Sequence, residues 1–221
     1  MKLTIASAVV ALALAATPAQ AVINSITLSG GSAFTNGGVG AIVAQPATFA
    51  ATGNNLNGFN ELQNVTIGLG SASPRGSLFD ANGLNLTAQV NIVSALRVSS
   101  HFFYITPTTG NRTATGTISF NQNVIAVQRA SSVWGNARSA QLHNGLSDFT
   151  TLADIPATEA TDTITLINPK TISYSLTIGA GNTDAFRVLT AVPEASTWAM
   201  MLVGFGMVGF GMRRRSTAVA A

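Results

Sequence analysis

The stretch TITLINPKTISYSLTI, residues 163–178, decides the fold. From Ile172 onward the residues Ile172, Tyr174, Leu176 and Ile178 alternate with Ser173, Ser175 and Thr177. A period of two places the first set on one face of a strand and the hydroxyls on the other, so that one face is buried and one wetted. Upstream, Thr163 to Ile167 reads as a second strand, and Asn168-Pro169-Lys170 as the tight connection of a hairpin.

The same period recurs outward from the hairpin. Between Leu84 and Val98 the even positions include Leu84, Leu86, Val90, Ile92, Leu96 and Val98, opposite Asn85, Thr87, Gln89, Asn91 and Arg97. Val65, Ile67 and Leu69 alternate with Asn64, Thr66 and Gly68. Further strands are expected at 22–29, 102–105, 117–120, 124–129 and 184–190. Between them, SGGSAFTNGGVG (29–40) and SASPRGS (71–77) carry turn and loop chemistry, in which Gly supplies positive φ and Pro breaks pairing. No segment of this region sustains a 3.6-residue period, and no fixed-length repeat supports a solenoid. The expectation is an antiparallel all-β domain over 22–190, resembling a β-sandwich.

The N-terminus has a different character. MKLTIASAVVALALAATPAQA places one cation at Lys2, an apolar run from Leu3 to Ala16, and small residues at Ala19 and Ala21. That is the pattern of a secretory signal peptide over 1–21, cut after Ala21 by signal peptidase once the secretion machinery has engaged the chain. A buried helix so apolar on every face would need a large core to cover it.

The formal charge of +3 belongs to the ends. Lys2 and Arg213 to Arg215 account for four of the eleven cations and Glu194 for one of the eight acids, leaving 22–192 with seven of each. A neutral domain has no basic face with which to neutralise phosphates, so nucleic acid is excluded as a partner. The chain has no cysteine, hence no disulfide framework, no thiolate nucleophile and no Cys-ligated metal.

Catalytic raw material is scarce. The two histidines, His101 and His143, are too few for a three-histidine zinc site, and neither lies in H-E-x-x-H. His101, beside a strand, is expected to be a hydrogen-bonded structural residue. His143, Ser147 and Asp148 stand close in sequence, but Phe149 occupies the place of the second Gly of a G-x-S-x-G elbow, so a polar loop is the better reading. Asp80-Ala81-Asn82-Gly83 lacks the spacing and closing Glu of a calcium loop. Glu159 and Asp162 read as solvated loop acids rather than a glycosidase pair. No catalytic, metal or cofactor residue is assigned.

VPEASTWAMMLVGFGMVGFGMRRR, residues 192–215, closes the chain's argument. Its G-x-G-x-x-G (204–209) is no dinucleotide fingerprint, because no βαβ unit surrounds it and no acid follows. Trp198 to Met212 carries no charge and would run about 22 Å as a helix, against roughly 30 Å of hydrocarbon. Extended back to about 196, it reads as one transmembrane helix over 196–212. Trp198 suits one interface, and Arg213, Arg214 and Arg215 the cytoplasmic one, with 216–221 a cytoplasmic tail. The exported N-terminus and the positive-inside rule give one topology. Glycines that would destabilise a helix in water are tolerated in lipid.

Pro193-Glu194, Thr197-Trp198-Ala199-Met200-Met201, Gly204-Phe205-Gly206, Gly209 and Arg213 to Arg215 together resemble the PEP-CTERM sorting signal of Gram-negative bacteria, in its Trp-Ala variant. Ala195 stands where that family usually carries a second proline. The resemblance implies that residues 191–215 are recognised by an exosortase in the inner membrane. It would cut near Pro193-Glu194 and pass the protein to the surface or exterior of a cell that makes exopolysaccharide. A GPI signal is the competing tail, but it would end in its hydrophobic run. For the domain itself the sequence favours a non-catalytic structural or adhesive role with no cofactor, to which the resemblance adds exopolysaccharide as a partner. The alternatives are a carbohydrate-binding module using Trp134 and Tyr104, and, behind it, a secreted glycan hydrolase.

Overall fold

The computed structural model describes residues 20–67, 96–128, 162–192 and 204–207. Residues 20–192 form one compact unit. Its strands are β1 (Ile23–Gly30), β2 (Gly40–Ile42), β3 (Leu56–Asn60), β4 (Val65–Ile67), β5 (Leu96–Ile105), β6 (Arg112–Phe120), β7 (Val124–Gln128), β8 (Thr163–Asn168), β9 (Thr171–Ile178) and β10 (Asp184–Ala191). They build a four-stranded sheet ordered β1-β6-β9-β8 and a six-stranded sheet ordered β2-β3-β5-β10-β7, with β4 also pairing β5. The domain is all-β, as the period of two requires.

The hairpin forms in the register its pattern dictates, Ile164 opposite Tyr174 and Leu166 opposite Ile172, with Lys170 N–H donating to Asn168 Oδ1 in the turn. Ile172, Tyr174, Leu176 and Ile178 are all buried. Ile118 and Phe120 of β6 join them, and the layer meets the larger sheet through Phe103 against Phe120 and Tyr174 against Phe186, centroids 6.1 and 6.5 Å apart. The two sheets thus pack face to face around one apolar layer.

The outer face of the four-stranded sheet is made mainly of hydroxyls, with Ile167 exposed near the end of β8. One row runs Thr27, Thr117, Ser173, Thr165 across all four strands. The next runs Thr115, Ser175, Thr163. These positions are exposed or half-buried, while their neighbours in sequence turn inward.

Three expectations change. The sheets are not wholly antiparallel, because β2 pairs β3 in parallel. The stretch read as loop at 29–40 holds a five-residue helix, α1 (Gly31–Thr35), whose Ala33 is buried. β3 itself, LNGFN, was not expected; it adds Phe59 to the core and admits Phe103 over Gly58. The alternating stretch from Leu84 lies outside the described residues as far as 95, and its last part begins β5. Of the candidate membrane helix only 204–207 is described, and it is helical. Among the described residues no helix is long and apolar enough to cross a membrane.

Candidate functional site

The larger sheet is buried on both faces, and each face carries a polar group: an ion pair that the sequence reading did not place, and the histidine that it did. On β10, residues Asp184 to Thr190 are all buried, so Arg187, in the run AFRVL, has no solvent to face. It pairs across β5 with Glu61, which follows β3 directly. Glu61 N–H donates to the Ser100 carbonyl and Ser100 N–H to that of Leu62, so the chain runs on along β5 and sets Glu61 opposite Ser100. Arg187 lies opposite Phe102 in the neighbouring ladder. The side chains meet above β5: Arg187 Nε donates to Glu61 Oε2 at 2.6 Å and Nη2 to Oε1 at 2.9 Å. Ser100 Oγ donates a further, short hydrogen bond to Oε2.

Neither side chain of the ion pair has any exposed surface. The guanidinium also lies 5.7 Å from the Phe102 ring centroid. Phe49, Phe59 and Tyr104 continue this face, ring against ring, at 5.0–6.4 Å. A two-pronged contact of this kind satisfies both carboxylate oxygens and fixes the guanidinium plane. No substrate reaches it.

On the opposite face, towards the other sheet, His101 is fully buried. Its Nδ1 lies 2.7 Å from Asn60 Oδ1 and its Nε2 2.8 Å from Thr190 Oγ1. An amide oxygen only accepts, and Asn60 Oδ1 also receives Ile23 N–H, so Nδ1 carries the proton and Nε2 accepts from Thr190. Burial lowers the imidazole from 6.5 to about 3, which keeps it neutral. This is the hydrogen-bonded structural histidine expected from its place beside a strand.

Asp162 departs from expectation. It is buried, not a solvated loop acid, and its Oδ1 accepts Thr177 N–H at 2.7 Å. Tyr104 and Tyr174 are buried too. Among the described residues no group of three or more His, Asp or Glu could hold a metal ion. Trp134, His143, Ser147, Asp148, Asp80 and Glu159 lie outside the described residues.

The expected processing residues divide. Ala21 is completely buried at the entrance to β1. Asn121, in the turn after β6, accepts Val22 N–H through Oδ1 at 2.8 Å and donates through Nδ2 to the Gln20 carbonyl at 3.0 Å. Ala19, Pro193, Glu194, Trp198, Arg213, Arg214 and Arg215 lie outside the described residues. For those of the C-terminus, comparison with known families supplies the finding. Residues 191–215 match the family model of the PEP-CTERM protein-sorting motif. No curated protein and no solved structure matches the chain. The domain thus carries a buried polar framework with no exposed reactive cluster among its described residues, and the segment beyond it carries a known address: residues 191–215 hold a PEP-CTERM protein-sorting motif, which indicates an exported protein sorted by an exosortase through a membrane-anchored intermediate.

Proposed function

We propose that the exported domain is a non-catalytic structural or adhesive protein that associates with exopolysaccharide outside the cell. One observation carries this reading: among the described residues, the carboxylates and the imidazole that could do chemistry are turned inward and engaged. The described carboxylates, Glu61, Asp162 and Asp184, are all buried, and the described imidazole is held neutral between two partners. What the smaller sheet turns outward is mainly uncharged hydroxyl. The reading as a carbohydrate-binding module with an aromatic platform is weakened, since Tyr104 sits inside the Phe49–Phe59–Phe102 cluster rather than in a groove.

Fractionation of cells carrying the wild-type chain or Glu194→Ala tests the proposal. Wild-type protein is expected with the extracellular polysaccharide, and the variant in the inner membrane. Wild-type protein recovered free in the medium, with none in the polysaccharide fraction, overturns the association. Release of reducing sugar from that polysaccharide by purified exported protein overturns the non-catalytic role.

A further inference from the structure

We propose that the outer face of the β1-β6-β9-β8 sheet is a binding surface for a single chain of neutral polysaccharide. The inference rests on the proposed extracellular role and names the surface that would serve it. The outward positions of β6 are Thr113, Thr115, Thr117 and Ser119, and those of β9 are hydroxyls without exception. The one cation of these two strands, Arg112, has the inward parity of β6 and donates through Nε to Asn54 at 2.8 Å. No charge therefore stands on the face, which removes the attraction that an anionic polymer or a nucleic acid needs. No large apolar side chain stands in its central rows either, which removes the core of a protein interface.

Hydroxyls remain, and most of them are unengaged. Ser25 and Ser119 bond each other at 2.7 Å, near one end of the sheet. In the central rows, Thr27, Thr117 and Ser175 have no side-chain hydrogen bond among the described residues; Thr27 is exposed and the other two are half-buried. Strand neighbours stand about 4.8 Å apart and same-face residues along a strand about 6.8 Å apart. The result is a lattice of groups that each donate and accept, with threonine methyls between them. A polyhydroxyl chain offers the complementary groups at every sugar, hydroxyls to hydroxyls and C–H faces to methyls.

The geometry also distinguishes a single chain from a crystalline surface. Adjacent strands rotate by roughly 20–25°, so the rows of a four-stranded sheet fan out by about 60–75° from edge to edge. A rigid planar lattice would touch only part of such a face. A flexible chain can follow the twist and engage successive rows, where weak contacts add through effective concentration.

Affinity electrophoresis of the exported protein in gels cast with dextran, hydroxyethylcellulose or alginate tests this. Retarded migration is expected in at least one of the two neutral polymers, unchanged by added salt. Thr117→Val with Ser173→Ala removes two hydroxyls from one row at nearly constant volume and keeps a β-branched residue at 117, so the fold should persist by circular dichroism. The double variant should bind about tenfold more weakly. Equal retardation of variant and wild type overturns the assignment of the surface and leaves the extracellular association standing. No retardation in either neutral polymer, or salt-sensitive retardation in alginate alone, overturns the inference. So does a wild-type dimer that the double variant abolishes, which would give the face to a second copy. Fractionation of cells decides the association itself, independently of these outcomes.

Discussion

Arg187 and Glu61 are tolerable inside the domain only as a pair. Removing two charges from water costs several kcal/mol for each, and their attraction offsets this when geometry and extra hydrogen bonds are good. Here the two contacts between the side chains and the Ser100 hydroxyl meet that condition. Arg187→Met strands a carboxylate in an apolar layer and is expected to cost about 3–5 kcal/mol in urea unfolding. Adding Glu61→Leu should recover much of that loss, because the orphaned charge goes with it. Costs that simply add in the double variant would show that the pair is not coupled. His101 acts in the other direction, by remaining uncharged. Its folded pKa of about 3 lies below its ordinary 6.5, so between those values the unfolded chain holds the proton and the folded one does not. Its contribution is complete above pH 6.5 and is lost as pH falls towards 3, by about 1.4 kcal/mol per pH unit. His101→Gln removes this titration, so its urea midpoint should fall less steeply than that of the wild type over the same range. Parallel slopes would place the proton uptake elsewhere.

At the level of elements, legibility follows solvent exposure. β9 could be read because one face is wet: hydroxyls alternate with Ile172, Tyr174, Leu176 and Ile178, and the register of the hairpin follows from that alternation. β10 lies between two other strands and is covered on both faces, so its period is hidden and the arginine within it gives no sign of where it points. β3 was illegible for a different reason. Asn and Gly fill it, so local chemistry says turn, and only its partners in β5, more than forty positions on, make it a strand. Close approach is invisible in the same way. Gly116 of β6 lies between Leu28 and Tyr174, and the tyrosine reaches across it to donate to the Thr27 carbonyl at 2.9 Å. A methyl group at Gly116 would collide with both the Thr27 carbonyl and the Tyr174 hydroxyl. Gly116→Ala should therefore cost about 2 kcal/mol or more in spite of its better strand propensity, whereas Ser175→Ala on the wet face of β9 should stay within about 0.5 kcal/mol. Equal melting temperatures for the two variants would show that the sheet yields at this crossing.

For the whole molecule, the sequence spoke most clearly where meaning is local and linear. The sorting segment is a contiguous string, so Pro193, Glu194 and the arginine cluster could be read without a fold, and the family match falls on 191–215. The Arg187–Glu61 pair could not be read, because its members are 126 positions apart and only the assembled sheet brings them together. The N-terminal end joins the two kinds of information. The small residues Ala19 and Ala21 are the basis for our proposal that signal peptidase cuts the bond before Val22. In the folded domain Ala21 is completely buried, and Asn121 bridges the Gln20 carbonyl and the Val22 N–H on either side of that bond. A peptidase needs an extended, accessible backbone, so cleavage has to occur before Asn121 closes over the site, and the turn after β6 cannot form until much of the chain has been made. Pulse-labelled protein should therefore be cut while still sensitive to added protease, and precursor first allowed to fold should resist signal peptidase. The mature chain should begin at Val22, whose new ammonium keeps the contact with Asn121. Asn121→Ala should make the folded precursor cleavable without moving the cut. If folded wild-type precursor were processed as fast as the nascent chain, the closure around Ala21 would have no bearing on maturation.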